Sequence, residues 1–205
     1  MDAGFARNRP DLVARVVQER LILFATPLVM WYIAQYFPLE KLRCRVFVIE
    51  DVQYPAGKRA LRGQELRAAR PGTGLVLFDE ARVLGFSLDI RHGIFDGRTV
   101  AYTGLQVLNS LGFDTVFLHG VDLRAAAHTP RFYETDGNMQ PSTLDDNFDA
   151  YIEPSFRHAA ALLKSRGVRV VNLSARSALG VDIFEKKSWQ ALISAPADVV
   201  PAMQA

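Results

Sequence analysis

A chain of 205 residues, 49% of them apolar, is long enough for one globular domain with a lid. Its 24 lysines and arginines nearly balance 22 aspartates and glutamates, so no nucleic-acid partner is expected. Cys44 is the only cysteine, which excludes an intrachain disulfide and, beside an apolar strand pattern, reads as a buried, inert thiol.

The first ten residues, MDAGFARNRP, lack the apolar core of a signal peptide, and a cytoplasmic location is the expectation. Pro10–Gln18 is predicted helical, with Asn8 as its cap. The 19 residues from Leu21 to Leu39 carry no charge and reach the length of a membrane span. Thr26-Pro27 splits that run, however, and Gln35 and Pro38 interrupt its far end. A buried strand, Leu21–Phe24, followed by a helix from Pro27 to Tyr36, accounts for the run better than a span does. Trp31, Tyr32, Tyr36 and Phe37 would suit peripheral contact with a membrane surface.

Arg45–Ile49 (RVFVI) is predicted as a second strand, ending in Glu50-Asp51. Tyr54–Arg70 is basic and weakly patterned, a surface excursion with a short helix. Pro71-Gly72-Thr73-Gly74 makes a turn, with short strands expected at Gly74–Phe78 and Val83–Leu88. Thr99–Leu111 reads as a helix with Val100, Gly104, Val107, Leu108 and Leu111 as its apolar positions, stopped by Gly112. Thr115–Leu118 is a core strand. Leu123–Asn147 shows no periodicity and is too long for an ordinary connection, so residues 123–150 are assigned to a lid loop. Tyr151–Arg166 is the next helix, with Ile152, Phe156, Ala159 and Leu163 on one face. Val168–Val171 is a strand entering Asn172-Leu173-Ser174, and a last helix is predicted over Ile183–Leu192. This alternation predicts an α/β fold, a single domain with a mainly parallel sheet and flanking helices.

Ligands of open parallel sheets sit beyond the carboxyl ends of the strands. Glu50-Asp51, His119-Gly120-Val121-Asp122 and Asn172-Leu173-Ser174 are such ends. Arg91, His92, Asp96, Arg98 and Thr99 crowd the loop before a helix N-terminus, where unpaired N–H groups and the helix dipole favour an anion. Arg91, His92, Arg98 and Thr99 are therefore candidates for a phosphate or sugar carboxylate. Thr99 serves equally well as a helix cap, and Asp96-Gly97 as a turn. Asp122 could hold a ribose or sugar hydroxyl, or brace the next loop. In the lid, Arg131 offers a bidentate clamp and Tyr133 a phenol donor for a leaving phosphate. Among His92, His119, His128 and His158, the best placed general bases are His158, on a helix, and His119, at a strand end. Asp145, Asp146 and Asp149 lack the spacing of a metal cage, so no metal site is expected. The chain has no G-x-x-x-x-G-K-[ST], G-x-S-x-G, H-E-x-x-H or C-x-x-C, which sets aside P-loop, serine-hydrolase, zincin and thioredoxin-type chemistry.

The order TVAY…LNSLGFDTVFLHGVDL (Thr99–Leu123), then NLSARSAL (Asn172–Leu179), then Phe184-Glu185, resembles the C-terminal half of bacterial CMP-sialic-acid-dependent sialyltransferases and of related lipopolysaccharide-core glycosyltransferases, Kdo transferases among them. The resemblance runs from Arg91 to Glu185. It implies a Rossmann-like fold and a metal-independent inverting transfer of an acidic sugar, Kdo before sialic acid, from a CMP donor, with no further cofactor. By the same resemblance Thr99 touches the donor, Asp122 lies near the nucleotide, and Ser174 and Ser177 line that pocket. The sialyltransferases carry their catalytic histidine near the start of the helix equivalent to Tyr151–Arg166; here that place reads Ile152-Glu153-Pro154-Ser155, with His158 about a turn further on. The family's first strand and its glycine-rich nucleotide loop have no counterpart, so a domain incomplete at its N-terminus is expected. The partners implied are a nucleotide sugar and a glycan or lipid acceptor, with peripheral contact at the inner membrane. Two other readings stand beside this one: a diphosphokinase-like transferase using ATP and magnesium, and a degenerate, non-catalytic interaction domain with exposed apolar surface.

Overall fold

A computed structural model describes residues 1–68, 72–124, 134, 139 and 142–193. The chain opens with α1 (Ala3–Asn8) and α2 (Pro10–Val17), followed by β1 (Ile22–Ala25), α3 (Pro27–Tyr36) and β2 (Arg45–Val48). The uncharged run thus resolves into a strand and a helix, as its proline predicts. Thr26 caps α3, its Oγ1 accepting from Val29 N at 3.4 Å, and Pro27 occupies the first turn, where a missing N–H costs nothing. No helix among the described residues is long and apolar enough to cross a membrane. Asn8 does not cap α2: it closes α1, and the α2 cap position belongs to Arg9, which makes no side-chain capping bond.

After α4 (Gly63–Ala68) come β3 (Leu75–Asp79) and β4 (Leu84–Ser87), a 3₁₀ turn at Ile90–His92, α5 (Val100–Ser110) and β5 (Thr115–Leu118). The end of the segment assigned to the lid is helical. It comprises α6 (Leu144–Asn147) and a π turn (Phe148–Ile152) that runs straight into α7 (Glu153–Ser165). Phe148 and Ile152 are buried there, which ties this part of the lid segment to the core. The last elements are β6 (Arg169–Asn172), β7 (Glu185–Lys186) and α8 (Gln190–Ile193). The helix expected over Ile183–Leu192 is therefore largely replaced. Residues 185 and 186 pair with Val171 and Asn172, and burial of Ile183 and Phe184 draws the segment against the sheet instead.

The fold is mixed α/β, with its parallel pairing divided between short sheets. β1 and β2 form one parallel pair, β5-β6-β7 a parallel three-stranded sheet, and β3-β4 an antiparallel hairpin. A parallel bridge between Asp51 and Ile94 joins the end of the first pair to the loop before α5, through Val52 N to Ile94 O at 2.9 Å and Ile94 N to Glu50 O at 2.8 Å. Parallel strands are normally covered on both faces. Here Ile22, Phe47, Val48 and Phe117 remain exposed, so parts of both parallel sheets are uncovered among the described residues.

The main core lies between the hairpin, α5, α7 and the three-stranded sheet. Four rings cross it edge to face, Phe86 to Tyr102 to Phe156 to Phe184, with centroids 5.8, 5.2 and 6.1 Å apart, a spacing that suits the aromatic quadrupole. The expected face of α7 is the buried one: Ile152, Phe156, Ala159 and Leu163 are fully buried. On α5 the expectation holds in part: Val107 is buried and Leu108 packs against the core. The helix buries Tyr102, Leu105, Gln106 and Val107, while Val100 and Leu111 are exposed. A polar residue, Gln106, takes a core position because the loop before the helix needs its amide.

Candidate functional site

The backbone just beyond β2 and the loop just before α5 meet, and a shallow cleft opens between them. Asp51 lies at its edge. Its Oδ1 accepts from Gln53 N at 2.7 Å and from Tyr54 N at 3.0 Å, so the carboxylate itself shapes the turn out of the strand. Across from it the loop 93–99 is held tightly. Gln106 Oε1 accepts from Phe95 N at 3.0 Å and Gln106 Nε2 donates to Phe95 O at 2.8 Å. Gly97 has φ +57° and sits on the Tyr102 ring, where a Cβ would come within 2.2 Å of Cδ1. Tyr102 is fixed in turn by donating its hydroxyl to Gly85 O at 2.7 Å.

This clamp presents Asp96 and Arg98 to the cleft. Arg98 has φ +59°, an unusual backbone for a residue with a Cβ. Its guanidinium lies 5.0 Å from the centre of the Tyr151 ring and 3.6 Å from Asp96 Oδ2. Arg82, from the hairpin turn, is committed elsewhere, to Asp79 at 2.7 Å and to Ala150 O at 2.9 Å. Ser155, in the first turn of α7, completes the lining; its hydroxyl is buried and takes no hydrogen bond among the described residues. Burial pushes the Asp51 carboxyl above its ordinary range, and the charge of Asp96 adds to the push. Burial likewise raises Asp96, against the pull of Arg98. The cleft therefore offers carboxylates that accept protons and hydroxyl hydrogens, one cation stacked on a ring, and an orphan hydroxyl.

A second group of candidates gathers where β5 and β6 end. Ser174 Oγ accepts from Val121 N at 2.9 Å, and Ser174 N donates to Asn172 Oδ1 at 2.9 Å. Ala178 N donates to Asp122 O at 2.9 Å, and Lys186 Nζ to Ser177 O at 2.8 Å. The Ser177 hydroxyl accepts from Leu179 N at 3.4 Å. The Ser174 hydroxyl and the Ala178 amide thus hold the segment between β6 and β7 against residues 121–122, while the Ser177 hydroxyl orders its own turn; no helix follows β6 there. The amide nitrogen of Asn172 is buried there without a partner among the described residues. His119 is exposed at the end of β5.

The remaining candidates lie apart from the cleft lining. Thr99 caps α5, its Oγ1 accepting from Ala101 N at 3.3 Å. Arg91 is exposed and doubly bonded to Asp89, and His92 lies 3.9 Å from the same carboxylate. Arg91 holds the Asp89 carboxyl down at about 2. His158 is exposed, its ring stacked 5.0 Å from that of Phe78 on the hairpin. Arg131, Tyr133 and His128 fall outside the described residues. No group of three or more His, Cys, Asp or Glu side chains able to hold a metal occurs among the described residues. Sequence reasoning did not single out Tyr151 or Ser155 as site residues, and saw Asp51 only as a strand end. The signal available for Asp51 was a carboxylate directly after a parallel strand.

The model of one protein family, described as 3-deoxy-D-manno-octulosonic acid transferase WaaZ, matches residues 74–186. Two curated relatives carry the description "Probable 3-deoxy-manno-octulosonic acid transferase". The one from Escherichia coli (strain K12) is 29% identical over 108 residues, which cover 53% of this chain and 36% of the relative. The one from Salmonella typhimurium (strain LT2) is 31% identical over 108 residues, covering 53% of this chain and 38% of the relative. The matched part thus spans little more than a third of each relative's length. No solved structure matches the chain.

Proposed function

The chain belongs to the 3-deoxy-D-manno-octulosonic acid transferase WaaZ family, and on that premise we propose that it acts as a lipopolysaccharide-core glycosyltransferase. The sugar moved is 3-deoxy-D-manno-octulosonic acid, the donor is its CMP conjugate, and the acceptor is a hydroxyl of the lipopolysaccharide. The observation that carries this reading is the family match over residues 74–186, which takes in every donor-side candidate from Arg91 to Ser177.

Transfer breaks the bond between the anomeric carbon and the phosphate oxygen. Positive charge develops on the sugar ring and negative charge on the departing nucleotide. Cations and N–H donors fixed in advance near the phosphate lower that barrier. Arg98 and the N-terminus of α5, with Arg131 and Tyr133 from the lid segment, are the groups suited to this task. Asp122 and the segment ordered by Ser174 and Ser177 suit the ribose and base. Inversion at the anomeric carbon follows from a single displacement by the acceptor hydroxyl, and the chemistry requires no metal. Work at the cytoplasmic face of the inner membrane fits the exposed Leu28, Trp31 and Tyr36 of α3, which offer an apolar and aromatic surface to lipid headgroups.

Calorimetry with CMP tests the reading directly. Saturable binding is expected, with release of CMP from the donor when a core oligosaccharide is added. Absence of binding to any cytidine nucleotide overturns it, and a magnesium-dependent thermal shift with ATP would favour the diphosphokinase-like alternative.

A further inference from the structure

The cleft at the end of β2 is built from two parts of the chain. Arg82, Asp96, Arg98, Tyr151 and Ser155 lie inside the span matched by the family model, whereas Asp51 lies before it. Three independent features mark it as a place where a hydroxyl compound binds. Asp51 and Asp96 bring two carboxylates to one small space. The Ser155 hydroxyl, with the residue only 1% exposed, lines the same space with no hydrogen-bond partner among the described residues, which costs stability unless a ligand supplies one. The Tyr151 ring, with the Arg98 guanidinium 5.0 Å from its centre, supplies an aromatic wall.

We propose that this cleft is the acceptor subsite of the transferase and that Asp51 is its general base. The inference rests on the transferase reading above. Asp51 is favoured over Asp96 by its geometry. Two backbone amides fix its Oδ1, and its Oδ2 takes no hydrogen bond among the described residues, so one oxygen is held and the other is free to act. Asp96, about half exposed, is tethered only by Arg98 at 3.6 Å. In the reaction the acceptor oxygen forms its bond to the anomeric carbon as Asp51 Oδ2 takes its proton. The bond from that carbon to the phosphate oxygen breaks, and CMP leaves with the electron pair. Burial keeps Asp51 basic, the charge of Asp96 adds a smaller push that Arg98 opposes, and Ser155 accepts or donates to a neighbouring sugar hydroxyl. Arg82 and Tyr151 are the other ionisable groups lining the cleft, and Arg82 is neutralised by Asp79.

The full chain is assayed with CMP-linked 3-deoxy-D-manno-octulosonic acid and a deacylated lipopolysaccharide-core oligosaccharide, alongside calorimetry with CMP alone. Asp51→Asn keeps the oxygen that accepts from Gln53 and Tyr54, so its melting temperature stays near that of the unaltered chain. Its kcat for transfer falls at least ~100-fold, the range for loss of a general base, while its CMP affinity stays within about twofold. Asp51→Glu recovers part of the rate. Asp96→Asn moves the acid limb of the kcat/KM profile to lower pH, because Asp51 loses a neighbouring negative charge. Transfer by Asp51→Asn within about fivefold of the unaltered chain, or a comparable loss in His158→Ala or His119→Ala with Asp51→Asn near normal, overturns the assignment and leaves the transferase reading in place. Failure of the unaltered chain both to bind CMP and to transfer overturns the two together.

Discussion

Gln106 and Phe95 exchange two hydrogen bonds, Phe95 N to Gln106 Oε1 at 3.0 Å and Gln106 Nε2 to Phe95 O at 2.8 Å, as a residue pair does in a sheet. The same Oε1 also accepts from Ser87 N at 3.0 Å. One amide side chain on α5 therefore completes the backbone of both β4 and the cleft loop, all of it out of water. Gln106→Leu leaves three backbone groups without partners. A loss of about 3 kcal/mol is expected, since each orphaned buried group costs on the order of 1–3 kcal/mol. Urea unfolding followed by circular dichroism measures it. A loss under about 0.5 kcal/mol would mean that water replaces the amide.

Ser155 predicts the opposite sign. Its hydroxyl is buried without a partner, so Ser155→Ala removes a desolvated polar group and is expected to raise stability by about 1 kcal/mol. If the cleft takes sugar hydroxyls, the same change raises the KM for the acceptor several-fold and leaves CMP binding alone. Thermal melting and steady-state kinetics on one preparation give both numbers.

Asp96 makes stability depend on pH. Its carboxyl is raised in the folded state, burial being the main cause, so the folded chain holds that proton more tightly than the unfolded chain does. The ionised group therefore costs stability as pH rises from the ordinary aspartate range, near ~3.9, through the folded value, and the cost persists above it. Asp96→Asn is expected to raise the melting temperature at pH 7 and to leave it unchanged near pH 3. Glu65 and Asp89, both held down at about 2 by arginine partners on the surface, act in the reverse sense: their support is present at neutral pH and fades as pH falls towards that value. A melting temperature at pH 7 that drops in Asp96→Asn would contradict the upward shift of this half-exposed carboxyl.

Gly97 tests how firmly the loop is clamped. A methyl group there would meet the Tyr102 ring at 2.2 Å, on a backbone with φ +57°. Gly97→Ala should cost about 2 kcal/mol from the left-handed backbone and the forced shift of the ring. Because Arg98 follows directly, the change should also weaken whatever that guanidinium binds. Chemical denaturation and CMP titration separate the two effects.

Much of the fold could be read from the chain because its signals are local. Pro27 opens α3, Thr99 caps α5, and the α7 face of Ile152, Phe156, Ala159 and Leu163 follows helical spacing into the core. The failures share a cause, which is contact between distant segments. Periodicity alone assigned Val100 and Leu111 to the buried face of α5, but the face is set by Gln106 and Tyr102 reaching loops and strands elsewhere. The predicted final helix yields to two residues that pair with the edge of β6. The candidate site was half legible. Asp122, Ser174 and Ser177 converge as the strand-end rule expects, and Arg98 reaches a cleft. Asp51, Tyr151 and Ser155 could not be joined to it by spacing, since about a hundred residues separate Asp51 from Ser155.

Arg98 holds a left-handed backbone in a loop where Gly93 and Gly97 already supply positive φ without strain. Glycine or asparagine would sit there more easily. Arg98 therefore sits against local backbone preference, as Val83 and Leu123 also do among the described residues. In a descendant that no longer needed the cleft, position 98 would be among the first to relax, with the loop unchanged and the fold slightly more stable.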